Sequence, residues 1–177
     1  MKKLALLCLV IAFASCSNEK PKAVSAGIFL EDQVKEFIEL NPDWTKDEAK
    51  EKEVTEKFKH KLINLSNEAD FLKNMPMKLE MIKDTIISEQ ATKLAIFKAY
   101  GDTSRNKSSL LNYMQLQIAG IVSDAQLAKL PINKNYTLTG TLYKQGKRAD
   151  VKFIHVAEFN GYDLGKYTFL ITGFKPL

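Results

Sequence analysis

The hydrophobic period of this 177-residue chain changes at Pro76, and this change limits the fold more than any other feature. Before Pro76, apolar residues recur every three or four positions, as on one face of an α-helix. After Pro76 they alternate with polar residues, as along a half-buried β-strand. The sequence therefore predicts an α+β protein with a helical region at residues 28–75 and a β domain at residues 76–177.

Two amphipathic helices are predicted in the helical region. The first runs from near Phe29 to Leu40, and Asn41-Pro42-Asp43 ends it. The second runs from Lys46 to about Ser66, with Thr45 and Glu48 forming a capping box at its start. Each helix carries one apolar stripe that must be covered. The stripe of the second helix consists of Val54, Phe58, Leu62 and Leu65.

Five to six mostly antiparallel strands are predicted in the β domain. The strand-like segments are residues 77–81, 91–100, 113–122, 136–143, 149–158 and 166–174. A short helix from Asp124 to Leu130, with Ser123 and Gln126 as a capping box, separates the third strand from the fourth. Turns are predicted at Gln145-Gly146-Lys147 and at Asn160-Gly161.

The fourth strand has the clearest alternation in the chain. Its apolar positions alternate with threonines, so the side chain of Leu138 is expected to point inward and that of Thr139 outward.

The order of these elements resembles a known small fold. Three strands, a short helix and two further strands are the element order of the OB-fold, a partly open Greek-key barrel. The resemblance covers roughly residues 77–158 and implies an OB-like barrel, with the last strand as an addition. The alternative is an open antiparallel sheet with the helices packed on one face.

Residues 1–15 have the pattern of an export signal. Lys2 and Lys3 precede an apolar run of about 11 residues, which is too short for a membrane-spanning helix of roughly 20 residues. The ending Phe13-Ala14-Ser15-Cys16 resembles the lipobox of bacterial lipoproteins. This resemblance implies cleavage after Ser15 and a diacylglycerol on Cys16. Ala12-Phe13-Ala14 also fits ordinary signal peptidase, which would release a secreted, soluble protein instead.

Cysteine content favours the lipoprotein hypothesis. Cys8 lies in the segment to be removed, so Cys16 is the only thiol of the mature chain and an internal disulfide is excluded. Residues 16–27 are then expected to form a lipidated tether at the cell envelope, with the outer membrane favoured. The tether contains one acidic residue, Glu19, whereas surface-exported lipoproteins of Bacteroidetes often carry an acidic cluster after the cysteine, so export to the outer face is not favoured.

Charge is unevenly distributed along the mature chain. Residues 17–90 contain 12 basic and 16 acidic residues, whereas residues 91–177 contain 12 basic and 5 acidic residues. A basic second half suits anionic lipid, a glycan, nucleic acid or the acidic first half. The simpler interpretation is an ordinary solvated surface rich in lysine. Nucleic acid is disfavoured because the predicted compartment is the cell envelope.

The residues that catalysis would need are scarce. The mature chain has two imidazoles, and we expect His60 to be solvated and His155 to be packed or at a strand edge. The sequence shows neither a zinc ligand set nor a glycine-rich phosphate loop. We therefore expect a non-catalytic protein without a cofactor or metal. A hydrolase that uses two carboxylates is the less favoured alternative.

Two functional hypotheses follow. The first is a binding or accessory module that holds a protein partner, a glycan or another anionic ligand through aromatic and basic side chains of the β domain. The candidate residues are Tyr143, Lys144, Lys147, Arg148, Tyr162, Lys166 and Tyr167. The simpler interpretation of these aromatic residues is that they belong to the core or to strand edges. The second hypothesis is an envelope assembly subunit that presents the stripe of the 46–66 helix to a partner.

Overall fold

The structure is a computed structural model that describes residues 27–101, 109–145, 151–156 and 159–177. The predicted signal, most of the tether and Cys16 lie outside the described residues, as do Lys147 and Arg148. Within the described part of the chain, no helix is long and apolar enough to cross a membrane.

The two predicted helices are present. Helix α1 spans Phe29–Glu39 and helix α2 spans Glu48–Leu65. The predicted capping box of α2 is wrong, because Asp47 is the N-cap and its carboxylate accepts a hydrogen bond of 2.8 Å from the Lys50 amide. A carboxylate at this position also interacts favourably with the positive end of the helix dipole.

Six strands follow the two helices. They are β1 (Met77–Ile87), β2 (Gln90–Ala99), β3 (Met114–Ile121), β4 (Asn135–Gln145), β5 (Lys152–Val156) and β6 (Phe159–Pro176). A 3₁₀-helix at Leu110–Tyr113 precedes β3, and helix α3 (Asp124–Leu127) lies between β3 and β4. The predicted capping box of α3 is confirmed, since Ser123 and Gln126 each bond the other residue's backbone amide.

The strand pairings form a ring-like closure. The strand order is β3-β2-β1-β4-β6-β5, and β3 also pairs with β6. The β3–β6 pair is parallel and the other pairs are antiparallel. The β1–β4 contact is short, joining Met77 to Tyr136 and Lys78 to Asn135. The predicted α+β class and OB-like, mostly antiparallel sheet are confirmed. Because the β1–β4 contact that closes the ring joins only two residue pairs, the alternative of an open sheet is also compatible with the structure.

Strand β6 is longer than predicted because it has two successive partners on one edge. Its residues 159–163 pair with β5, and residues 167–176 pair with β4. Residues 162–170 pair with β3 on the opposite edge. Strands β4 and β5 therefore lie one after the other along one edge of β6, and β3 lies along the other edge. The predicted turn at Asn160-Gly161 is wrong, since these residues lie opposite His155 and Ile154. Pairing with β5 overrides the local turn preference.

The helical region packs on the inward side of β5 and β6. Phe58 of α2 lies on Phe153 of β5, and Phe71 stacks on Phe169 of β6 with the planes 9° apart. The predicted stripe of α2 is buried at all four positions. Helices and strands therefore share one apolar core.

Candidate functional site

Two of the predicted ligand-binding tyrosines belong to the core. Tyr162 and Tyr167 are each 5% exposed. The Tyr167 hydroxyl donates a 2.8 Å hydrogen bond to the Leu164 carbonyl, and the ring of Phe71 packs against it edge-on. Burial raises the pKa of both tyrosines, and the charge of Asp163 raises that of Tyr167 further. The prediction that these two residues bind a ligand is therefore corrected, because neither side chain is accessible to one.

The other described candidates lie on the surface. Tyr143 is 52% exposed, and Lys144 and Lys166 are exposed as well. Lys144 lies opposite Thr168 of β6, and Thr168 is two positions after Lys166 in the same strand. Because alternate residues of a strand point to one side, Lys144 and Lys166 share the outward side of the sheet.

An aliphatic surface that the sequence analysis did not identify lies on the same outward side. Leu94 of β2 lies opposite Ile121 of β3, which lies opposite Leu170 of β6. In the adjacent row, Met81 of β1 lies opposite Ile96 of β2. We call these five residues, Met81, Leu94, Ile96, Ile121 and Leu170, the aliphatic face.

The aliphatic face is open to solvent. Met81 is 52% exposed and Leu170 is 48% exposed, while the other three side chains are half-buried against their neighbours. Phe97, Ile118 and Phe169 alternate with these residues along the strands and are buried on the inward side. The helical region packs on that inward side, so it does not cover the aliphatic face.

Polar residues surround the aliphatic face. Lys83 lies opposite Leu94, and Thr141 lies opposite Leu170. Lys98 follows Ile96 on the same side of β2, and its ammonium group forms a 2.8 Å ion pair with Glu80. An apolar centre with a charged border is the usual organisation of a protein–protein contact surface.

A polar cleft of about 380 Å³ adjoins this surface between the end of β2, the start of β3 and β6. Its polar lining residues are Lys98, Gln115, Gln117, Asp163 and Lys166. The register between β3 and β6 shifts here. Two residues of β6, Leu164 and Gly165, lie opposite the single residue Leu116 of β3, as in a β-bulge. Gly165 has φ +92°, and its amide donates to Asp163 Oδ1 at 3.0 Å.

Both histidines lie on the surface. His60 is exposed, as predicted. His155 is exposed at the edge of β5, with Nδ1 2.6 Å from the side-chain oxygen of Asn160 and its ring edge-on to Trp44. Across the described ranges, no group of three or more His, Cys, Asp or Glu side chains is placed to hold a metal ion.

The stripe of α2 is not available to a partner. Val54, Phe58 and Leu62 are at most 1% exposed, and Leu65 is 6% exposed. Phe58 contacts Phe37 of α1 as well as Phe153 of β5. The surface required by the assembly-subunit hypothesis is thus part of the protein's own core.

Comparisons of the chain with protein-family models, with curated proteins and with solved structures found no match.

Proposed function

We propose that this protein is a lipid-anchored module of the bacterial cell envelope that binds a protein partner through the aliphatic face and catalyses no reaction. The observation that carries the proposal is the row Leu94–Ile121–Leu170, which crosses three strands on the side away from the helices. Contiguous exposed apolar surface of this kind is a common mark of interaction sites in proteins.

The side chains favour a protein over a sugar or a nucleic acid. Single-stranded nucleic acids bind sheet faces by stacking bases on aromatic rings, and the aliphatic face contains none. Small molecules usually bind in concave pockets, whereas this surface is the outward side of a sheet. An aliphatic surface with a lysine border matches an apolar protein surface that has acidic residues around it.

The tether sets where the module acts. Residues 17–26 can span at most about 35 Å between the lipid on Cys16 and the folded part, since an extended chain advances about 3.3–3.6 Å per residue. Anchoring would hold the aliphatic face close to the bilayer and raise its effective concentration toward membrane-bound partners. We propose the outer membrane as the location, and secretion as a soluble protein is the alternative.

Site-specific photo-crosslinking in intact cells tests the proposal. A photoreactive amino acid at position 170 should give a discrete crosslinked protein, whereas the same amino acid at Thr139, an exposed position on β4, should not. Ile121→Lys should abolish the crosslink from position 170, because it introduces a charge into the same row. Equal crosslinking from positions 139 and 170, or crosslinks from 170 to lipid or glycan alone, would contradict the proposal.

The polar cleft supports a second candidate function, the binding of a small anionic sugar. Its volume of about 380 Å³ lies within the range of small-molecule sites. Lys166, Gln115 and Gln117 supply ammonium and amide donors beside the carboxylate of Asp163, and Lys98 adds an ammonium group that also pairs with Glu80. Calorimetric titration with glucuronic acid should show binding that Lys166→Glu weakens, with glucose as the uncharged control. Equal affinity for both sugars would count against an anionic ligand.

A further inference from the structure

Among the described residues, part of one backbone edge of strand β1 has no paired strand. It pairs with β2 along almost its whole length, but with β4 only at Met77 and Lys78. The loop before β4 continues this contact by one residue, because Leu79 bonds the backbones of Lys134 and Asn133 at 3.0 and 2.8 Å. From Met81 to Ile87, the described part of the chain provides no second strand beside β1.

The turn that joins β1 to β2 shows which backbone groups of β1 point toward this edge. Ser88 and Glu89 have φ of 49° and 65°, so they form a two-residue turn with both central residues left-handed. Ile87 and Gln90 are then a hydrogen-bonded pair, and bonded and non-bonded pairs alternate along the hairpin. Ile82, Asp84 and Ile86 consequently direct their N–H and C=O groups away from β2. We call these three residues the β1 edge.

The side chains of the β1 edge define a chemical pattern. Asp84 is exposed between Ile82, which packs partly against the core, and Ile86, which is 75% exposed. Asp84 also borders an open groove of about 610 Å³ whose charged lining residues are Asp84, Lys93 and Asp124. Apart from Asp84 and Thr85, this groove is lined by β2 and residues 122–124, so it does not extend along the free edge of β1. The exposed carboxylate of Asp84 itself is therefore the charge that favours a basic side chain in an occupant of the edge.

We propose that the β1 edge binds an extended segment of the partner protein as an additional strand. The segment carries apolar residues opposite Ile82 and Ile86 and a basic residue opposite Asp84. Main-chain hydrogen bonds supply the attraction and the alternate side chains supply the specificity, as in other strand-addition complexes. This inference rests on the proposed protein-binding function and names the form that the partner takes.

A second copy of the chain is a poorer occupant. Antiparallel pairing of two β1 edges over all three residues places Asp84 directly opposite Asp84 of the second copy. Like charges directly opposite each other destabilise a strand pair. The charge at the centre of the edge therefore favours a different chain that carries lysine or arginine there.

A synthetic peptide tests the inference on the full-length chain purified in a mild detergent. The probe is fluorescein-labelled Thr-Val-Thr-Lys-Thr-Val-Thr, and the control peptide has Glu in place of Lys. Fluorescence anisotropy should show at least about tenfold tighter binding of the Lys peptide. Hydrogen exchange should slow at Ile82, Asp84 and Ile86 when the Lys peptide is bound.

Two variants test the geometry. Asp84→Lys should reverse the preference, so that the Glu peptide binds more tightly than the Lys peptide. Asp84→Pro should weaken binding of either peptide about tenfold or more, because proline removes an edge N–H without removing a bond to β2. Thr139→Lys should leave peptide affinity unchanged, since Thr139 is exposed on β4 and pairs with Gly173 of β6 rather than with β1.

The outcomes distinguish strand addition at the β1 edge from the proposed binding of a protein to the aliphatic face. If the wild type does not bind the Lys peptide, or if Asp84→Lys keeps the original preference, the edge inference is overturned. A shift to dimers at micromolar protein that Asp84→Pro removes would instead assign the edge to a second copy. In either case, crosslinking from position 170 to a protein would leave the proposed use of the aliphatic face standing.

Discussion

Phe58 of α2 stacks on Phe153 of β5, with ring centroids 4.8 Å apart and planes inclined by 18°. The two rings are 1% and 5% exposed, and both belong to the single core of the described chain. This pair joins the helical region to the sheet, so unfolding one should expose the core of the other. The stacking also explains why the stripe of α2 is internal rather than a partner-binding surface.

Phe58→Ala should lower the free energy of unfolding by about 3–5 kcal/mol, because it removes a buried ring and leaves a cavity beside Phe153. The matched control is Leu40→Ala, since Leu40 is 72% exposed and its truncation should cost no more than about 0.5 kcal/mol. Urea denaturation measures both values. Equal stability losses would show that the helix–sheet contact contributes little.

Leu138→Asp should unfold the protein, whereas Thr139→Asp should change its stability little. Leu138 is 4% exposed and Thr139 is exposed, so a carboxylate is buried without a partner only at position 138. Burying such a charge costs several kcal/mol in order of magnitude. Melting followed by circular dichroism distinguishes the variants, and similar melting temperatures would mean that the inward and outward sides of β4 are misassigned.

Gly165→Ala should destabilise the protein by about 1–3 kcal/mol. Gly165 has φ +92°, and an added Cβ would lie 2.8 Å from Val151 Cγ2. Gly173→Ala is the control, because the nearest atom to its added Cβ is Thr139 Cβ at 3.8 Å. A Gly165→Ala variant as stable as Gly173→Ala would exclude a constraint at this bulge.

Alkaline pH should destabilise the wild type more than Tyr167→Phe. Burial, and then the charge of Asp163, raise the pKa of Tyr167 well above its usual value of about 10. Above pH 10 the unfolded chain therefore loses this proton while the folded chain keeps it, so the free energy of unfolding falls as pH rises.

Melting temperatures at pH 9 and pH 11 measure this effect. At pH 9 the variant itself should be less stable by about 1 kcal/mol, because it loses the hydrogen bond to Leu164. If the melting temperature falls equally between pH 9 and pH 11 in the wild type and in Tyr167→Phe, groups other than Tyr167 cause the alkaline destabilisation.

Cys16→Ser should release the protein from membranes or leave an uncleaved precursor. Each buried methylene of a lipid anchor contributes roughly 0.8 kcal/mol, and two acyl chains hold a protein stably. Cys8→Ser is the control and should partition like the wild type, since Cys8 lies in the predicted signal. Detergent phase partitioning separates these results. Wild-type protein in the aqueous phase with Ser15 at its N-terminus would favour plain secretion.

Local patterns were sufficient to predict the class and most elements of this protein. The apolar repeat of α2, the Ser123 and Gln126 capping box and the alternation of Leu138 with Thr139 all appear in the structure. Each depends on residues within a few positions of one another, where backbone geometry alone relates side-chain spacing to direction.

Only the tertiary structure decided which surfaces remain open. Tyr162 and Tyr167 have charged neighbours in the sequence, which makes them candidates for ligand binding, yet β6 directs both into the core, against Phe153 and Phe71. The aliphatic face depends on Leu94, Ile121 and Leu170 being brought into one row by pairing between distant strands. The β1 edge likewise exists because β4 departs from β1 after a short contact. Strand partners, register and bulges are set by burial across the whole chain, and no local sequence period encodes them.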